Sequence, residues 1–500
     1  MVKPTSLTPE LEEIRKKIEK YARGYGLDFF ETIFELVDFE KINQIASYGG
    51  FPTRYPHWRF GMEYERMSKS YSYGLSKIYE MVINNDPCYA YLLNANYLVD
   101  QKLVMAHVFG HCDFFKNNYW FSKTNRKMMD EMANHSTRVR KYIEKYGEDV
   151  VEEFIDVALS LENLIDYYSP FIKRVEDAPK KVNMIDQIEG ENEQIDYKMK
   201  SKPYMDKYIN PKEFVDKQRD DEKKEKEKKK NFPPEPVRDI LDFLVKYAPL
   251  EDWKADVLSI IREEAYYFSP QGQTKIMNEG WASYWHSKIM TEKALDGDEL
   301  IDYADHHSGT LATQPGSLNP YKLGIELYRD IEDRWNKGKF GKEYDECEDF
   351  REKKHWDKKL GLGREKIFEV RKIHNDVTFI DNFLTEEFCH EHKMFLYGYN
   401  RNTGRYEITD RKFSEVKKQL LFNLTNFGQP MIYVEDGNYD NKGEVMIWHK
   451  HEGSDLKVDY AKATIENIFK VWKRPVNLRT IMDGKNKYYR FDGSEHSEKT

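Results

Sequence analysis

At 500 residues the chain exceeds one ordinary domain and fits about three. Hydrophobic residues make up 39% and charged residues 33%, and 35 Tyr, 28 Phe and 9 Trp give it far more buriable surface than a disordered chain has, which excludes low-complexity and collagen-like classes. The formal net charge of -9, from 79 basic and 88 acidic residues, argues against a dedicated nucleic-acid binder, and no apolar run approaches the roughly 18 residues that a spanning helix needs.

The opening, MVKPTSLTPELEEIRKK, carries no apolar h-region of a secretory signal. Cys88, Cys112, Cys347 and Cys389 are scattered without a CxxC pair, so no disulfide framework is expected and the natural compartment is the cytoplasm. The first helix is signalled by Thr8 as cap, Pro9 at the first helical position, and Leu11, Ile14, Ile18 and Tyr21 at helical spacing. Gly24 and Gly26 stop it. A helical pattern continues from Tyr64 to about Tyr168, and 1–178 reads as a mostly α-helical domain. Composition changes at Pro179: residues 179–236 read as a charged connector, with the run DDEKKEKEKKK from Asp220 to Lys230 followed by Pro233, Pro234 and Pro236.

Helical signals resume over 237–360, a segment expected to pack on the first. After Gly361 the segments VTFID, MIYVEDG and GEVMIWHK alternate as strands do, and DYAKATIENIFKVWK follows as a helix. The region 361–493 therefore reads as a smaller α+β domain, which makes the expected fold class mostly α with an α+β C-terminal part.

The chemistry centres on LVMAHVFGHCDFF. His107 and His111, four apart, share one helical face among apolar neighbours, and neutral imidazoles so placed suit a shared zinc or iron ion. The bland alternative is a pair of hydrogen-bonded core histidines. In RKMMDEMANHSTR, Glu131 and His135 again share a face. In IREEAYYFSPQGQTKIMNEGWASYWH, Glu279 and His286 are two turns apart amid aromatics, where a lone carboxylate is costly, and Glu263 and Glu264 lie one helix earlier. The segment IDYADHHSG, with Asp302, Asp305, His306 and His307, is polar enough to read as a loop with solvated histidines.

Gluzincin peptidases pair HExxH with a distant N-E-x-x-A glutamate. His107, His111 and Asn278-Glu279-Gly280-Trp281-Ala282 resemble those elements, but Val108 stands where the general base belongs. Glu131 or Glu264 is the expected replacement base, with His107, His111 and Glu279 as metal ligands and His286 or His135 completing or supporting the shell. The loop YGGFPTRYPHWRFG gathers Arg54, His57, Trp58 and Arg59 between glycines and prolines, as a substrate-binding loop or an aromatic–arginine packing corner. Cys389, His390 and His392 lack a second Cys/His pair and read as helix-surface residues, while His449 and His451 read as structural. No Walker, dinucleotide or GxSxG signature appears.

The stretches YGGFPTRYPHWRFGMEYERMSKSY, MVINNDPCYAYLLNAN, LVDQKLVMAHVFGHCDFFKNNYWF, REEAYYFSPQGQTKIMNEGWASYWHSKIM and DYADHHSGT resemble the SpoVR family, the stage V sporulation protein R proteins, and the likeness runs from about Leu27 to Val476. The resemblance implies a role in forming the spore cortex. It also implies, as partners, a serine protein kinase and a von Willebrand-type protein of the same gene neighbourhood, and it supplies no settled reaction. Two functions follow as expectations. The first is a cytoplasmic, metal-dependent hydrolase. The second is a non-catalytic scaffold for the kinase system. Neither involves nucleic acid or membrane insertion.

Overall fold

The structure, a computed structural model, describes residues 5–72, 79–172, 232–313 and 316–499. Of the expected connector, residues 179–231, including the Asp220–Lys230 run, lie outside the described residues. The chain is mostly α and divides into two units, one of residues 1–152 and 266–429, the other of residues 153–265 and 430–500. The first unit thus joins most of the helical N-terminal part to most of 237–360 and to the segment up to 429.

The first unit opens with helix Pro9–Gly24, where Thr8 accepts from the Leu11 N–H at 3.3 Å and Gly26 adopts φ +91° beyond the end. A four-stranded sheet follows, in the order β1 (Thr5–Ser6), β2 (Thr32–Val37), β4 (Cys88–Leu93), β3 (Glu80–Ile83); β2 and β4 run parallel and the outer strands antiparallel to them. This sheet lies inside the stretch that reads as helical in sequence. The cause is that β4, CYAYLL, is buried on both faces, and a short continuous apolar run has no period with which to declare itself.

Three helices carry the core of this unit: the histidine helix Leu98–Asn117, the glutamate helix Lys275–Ile289, and Pro320–Lys337. The glutamate helix is buried nearly all round, with Trp281 and Trp285 wholly enclosed. It packs against both of the others through residues without bulk. A β-carbon on Gly110 would lie 2.7 Å from Ala282 Cα, one on Gly280 2.4 Å from Gly324 Cα, and one on Gly324 2.2 Å from the Ile276 carbonyl oxygen. These backbones touch, so the side chains flanking the contacts are brought into one layer.

Residues 363–429 complete the first unit. The stretch VTFID, expected as a strand, lies in helix Asp376–Phe383: Asn375 and Thr378 form a reciprocal capping box, and Phe379, Ile380 and Phe383 bury at helical spacing. A hairpin follows, of β5 (Leu396–Asn400) and β6 (Arg405–Asp410). In the second unit β7 (Met431–Tyr439), β8 (Glu444–Lys450), β9 (Val476–Met482), β10 (Lys485–Phe491) and β11 (His496–Lys499) form a sheet ordered β11-β10-β9-β8-β7. Strands β8 and β9 are parallel, and helix Val458–Trp472 supplies the crossover that such a pair requires.

The glycine contacts generate a prediction. Gly324→Ala should lower the thermal unfolding midpoint by an amount corresponding to about 1–3 kcal/mol of overpacking. Gly309→Ala, where nothing lies within 4 Å, should leave the midpoint unchanged or raise it. Equal midpoints for the two variants would contradict the close backbone contact.

Candidate metal centre

The histidine helix is lined by Val104, Met105, Ala106, Val108, Phe109, Cys112, Phe114 and Phe115, all buried, so His107 and His111 are held one turn apart inside the fold. Their rings meet edge to face with centroids 4.5 Å apart. The start of the glutamate helix is fixed by Asp376, whose two carboxylate oxygens accept from the Ile276 and Met277 N–H groups at 2.8 and 2.9 Å. Asp113 ties the two helices together: it accepts from Trp281 Nε1 at 2.7 Å and from the Asp28 N–H at 2.8 Å, and Arg371 lies 3.4 Å away. Burial pushes the Asp113 carboxyl up to about 6 against the pull of Arg371.

At this junction Glu279 Oε2 lies 3.6 Å from His107 Nε2 and 3.5 Å from His111 Nε2, and all three atoms fall within 4.8 Å of one another. Each imidazole is engaged on its other side. His111 Nδ1 meets Asn278 Oδ1 at 2.9 Å, and a carbonyl oxygen only accepts, so His111 donates from Nδ1 and turns an Nε2 lone pair inward. His107 Nδ1 meets His286 Nδ1 at 2.9 Å. Among the described residues Glu279 Oε2 is buried without a hydrogen-bond partner, the two imidazoles standing at ion-pair distance. Burial acts to raise the Glu279 carboxyl, but the two imidazoles outweigh it and hold the group well below the usual carboxylate range. Burial and then His111 push His107 below its ordinary value. At His111 burial is overcome by Glu279, Asn278 and Glu80, and the pKa rises.

Two further groups share this field, and neither stood out in the sequence. Glu80, at the start of β3, interacts electrostatically with His111 and Glu279, and burial pushes its carboxyl up to about 7. Among the described residues it makes no side-chain hydrogen bond or ion pair. Tyr321 lies over His107, ring centroids 6.2 Å apart, and its phenol is raised far above its ordinary range by burial and by Glu279 and Glu80. An isolated glutamate 27 residues before the histidine pair (107 minus 80) carries no spacing signal; only the packing of β3 on the histidine helix brings it here.

The other expected site residues are placed as follows. His286 adjoins the trio through His107 but offers it no free ligand atom of its own, since its Nε2 meets His307 Nδ1 at 3.1 Å. Segment 300–310, expected as a loop, is a helix, Leu300–Thr310. Glu131 and His135 stand on helix Met128–Tyr146, His135 fully buried, and neither belongs to the trio; Glu264 is buried in the second unit. In the aromatic loop, Arg54 donates to the Tyr48 carbonyl at 3.0 Å and lies over the Phe60 ring at 4.6 Å. His57 is buried and accepts from the Arg59 N–H at 3.3 Å, while Trp58 is exposed. Cys389 is buried in helix Glu386–Glu391, and His449 Nδ1 meets Thr480 Oγ1 at 2.9 Å.

A model of the family described as "SpoVR like protein" matches residues 6–429. The chain belongs to the SpoVR family, and this membership supports a sporulation-related role. It is also similar to the uncharacterized protein YcgB of Escherichia coli (strain K12), at 30% identity over 494 residues, covering 92% of this chain and 90% of that one. No solved structure matches. Among the described residues, no helix is long and apolar enough to cross a membrane.

Because Asp376 alone receives the N–H groups of Ile276 and Met277, Asp376→Ala should destabilise the fold by about 1–3 kcal/mol for each donor left unpaired. The shift of the denaturant midpoint measures it. A midpoint within error of the wild type would contradict the anchoring role.

Proposed function

We propose that this protein is a metal-dependent hydrolase acting in spore-cortex formation, with zinc held by His107, His111 and Glu279. One observation carries the reading: His107 Nε2 and His111 Nε2 lie 3.6 and 3.5 Å from Glu279 Oε2, all three atoms fall within 4.8 Å of one another, and among the described residues that oxygen has no hydrogen-bond partner. When both imidazoles are neutral and carry their protons on Nδ1, three acceptors face one another, and a cation among them would remove the repulsion. Two imidazoles and one carboxylate form a donor set that would suit zinc, with iron as the alternative. A set of two histidines and one glutamate leaves the fourth position open, as hydrolytic zinc sites require.

Bound zinc supplies a Lewis acid that polarises a carbonyl and acidifies water. The chain's own residues supply the rest. Asn278, by accepting from His111 Nδ1, directs Nε2 inward. Val108 removes the usual base from the histidine helix, and Glu80 stands in the field of His111 and Glu279 with its carboxylate uncommitted, placed to accept the proton of an attacking water. Tyr321, kept protonated by burial and by its two acidic neighbours, can donate to developing negative charge on the substrate.

Elemental analysis of untagged protein tests the proposal. Wild type should carry about one zinc ion per chain, and His107→Ala and Glu279→Gln should bind it at least about 10-fold more weakly with the fold kept. Glu80→Gln should retain zinc and lose about 100-fold or more of its hydrolysis of a mixed peptide library. Folded wild type without stoichiometric metal would contradict the reading and favour a non-catalytic scaffold for a serine protein kinase system.

A further inference from the structure

A chain of three imidazoles runs outward from the candidate centre. His107 Nδ1 meets His286 Nδ1 at 2.9 Å, and His286 Nε2 meets His307 Nδ1 at 3.1 Å. The last ring lies on helix Leu300–Thr310, partly exposed, with Tyr303 stacked on it at a centroid distance of 5.4 Å. The same helix is fastened to the histidine helix at two other points. His306 Nδ1 lies 2.5 Å from the buried Asp100 Oδ1, and just ahead of the helix Glu299 and Asp296 receive Lys102 Nζ at 2.7 and 3.1 Å.

Two imidazole nitrogens at hydrogen-bond distance share a single proton, so one ring of each pair donates and the other accepts. A neutral imidazole has one N–H and one lone pair, so each contact in the chain has a direction and all of them must agree. For His107 to offer an Nε2 lone pair to a cation, its proton must sit on Nδ1 and be donated to His286 Nδ1. His286 must then carry its own proton on Nε2 and donate it to His307 Nδ1. The opposite direction leaves a proton on His107 Nε2, where it blocks the ligand position. An acceptor at His307 Nδ1 is therefore the terminus that the productive arrangement needs, and it lies two hydrogen bonds away from His107.

We propose that His307 is a positioning residue of this centre: acting through His286, it holds His107 in the tautomer whose Nε2 can bind the metal. The inference rests on the zinc reading above and adds to it that a surface helix sets the affinity of a buried site. Partners that hold a ligand imidazole in place typically change metal affinity by about 10- to 100-fold.

The test compares full-length wild type, His307→Ala, His307→Asn and His306→Ala, each stripped with a chelator and titrated with zinc against a chromophoric competitor. Visible absorption of the cobalt-substituted forms reports ligand geometry. His307→Ala should lower zinc affinity about 10-fold or more and alter the cobalt spectrum, with its melting midpoint close to wild type. His307→Asn, whose side-chain oxygen replaces the Nδ1 acceptor, should restore most of the affinity. His306→Ala loosens the helix but leaves the imidazole chain, and should bind zinc as wild type does. The proposal fails alone if wild type binds zinc and His307→Ala binds it equally well, or if His306→Ala loses as much as His307→Ala. If wild type binds neither zinc nor cobalt, the metal reading fails and takes this proposal with it.

Discussion

Where the histidine helix crosses the glutamate helix, Gly110 faces Ala282 so closely that a single added β-carbon would meet backbone. That contact is the constraint on which the rest of the first unit depends. It lies between the turns that carry His107 and His111 on one helix and Glu279 and His286 on the other, so four polar side chains are forced into one buried layer. Gly280 against Gly324 repeats the arrangement on the opposite side and pins the glutamate helix from behind. Burying a carboxylate here is costly, and the fold surrounds the cost with fixed partners: Asp376 at the helix start, Asn278 behind His111, His286 behind His107.

Electrostatics at the centre are organised rather than neutralised. Asp113, two residues beyond His111, is balanced by Arg371 and accepts from Trp281 and the Asp28 N–H, and reads as a structural tie. Glu279 and Glu80 differ from it. Both are partly buried carboxylates, yet one is drawn down by imidazoles and the other is pushed up toward neutrality by burial. The family assignment leaves the reaction open, so the convergence of His107, His111 and Glu279 is what favours an enzyme over a scaffold.

Much of the architecture was legible in the sequence, and its limits have physical causes. Thr8, Pro9 and Gly26 marked the first helix because caps act locally. His107 and His111 could be placed on one face because four residues make about one helical turn. The approach of Glu279 to them is a property of the crossing, set by Gly110 and Ala282, whose closeness no local pattern encodes. Strand β4 is hidden because a strand buried on both faces has no alternation, and helix Asp376–Phe383 reads as a strand because VTFID is short and the N-cap of its capping box, Asn375, lies just outside that run. His307 read as a loop residue because IDYADHHSG is polar; its helix is held by contacts with Asp100 and Lys102 some 200 residues earlier (306 minus 100 gives 206), which the local sequence does not reveal.

The claim that a cation is the missing partner of three converging acceptors is tested most directly by X-ray absorption at the zinc edge on untagged, unstripped protein. The account predicts a four-coordinate shell of nitrogen and oxygen at about 2.0–2.2 Å, with the outer-ring scattering of two imidazoles and no sulfur. A zinc bound through thiolate, a shell without imidazole, or no bound metal in the folded chain would contradict it.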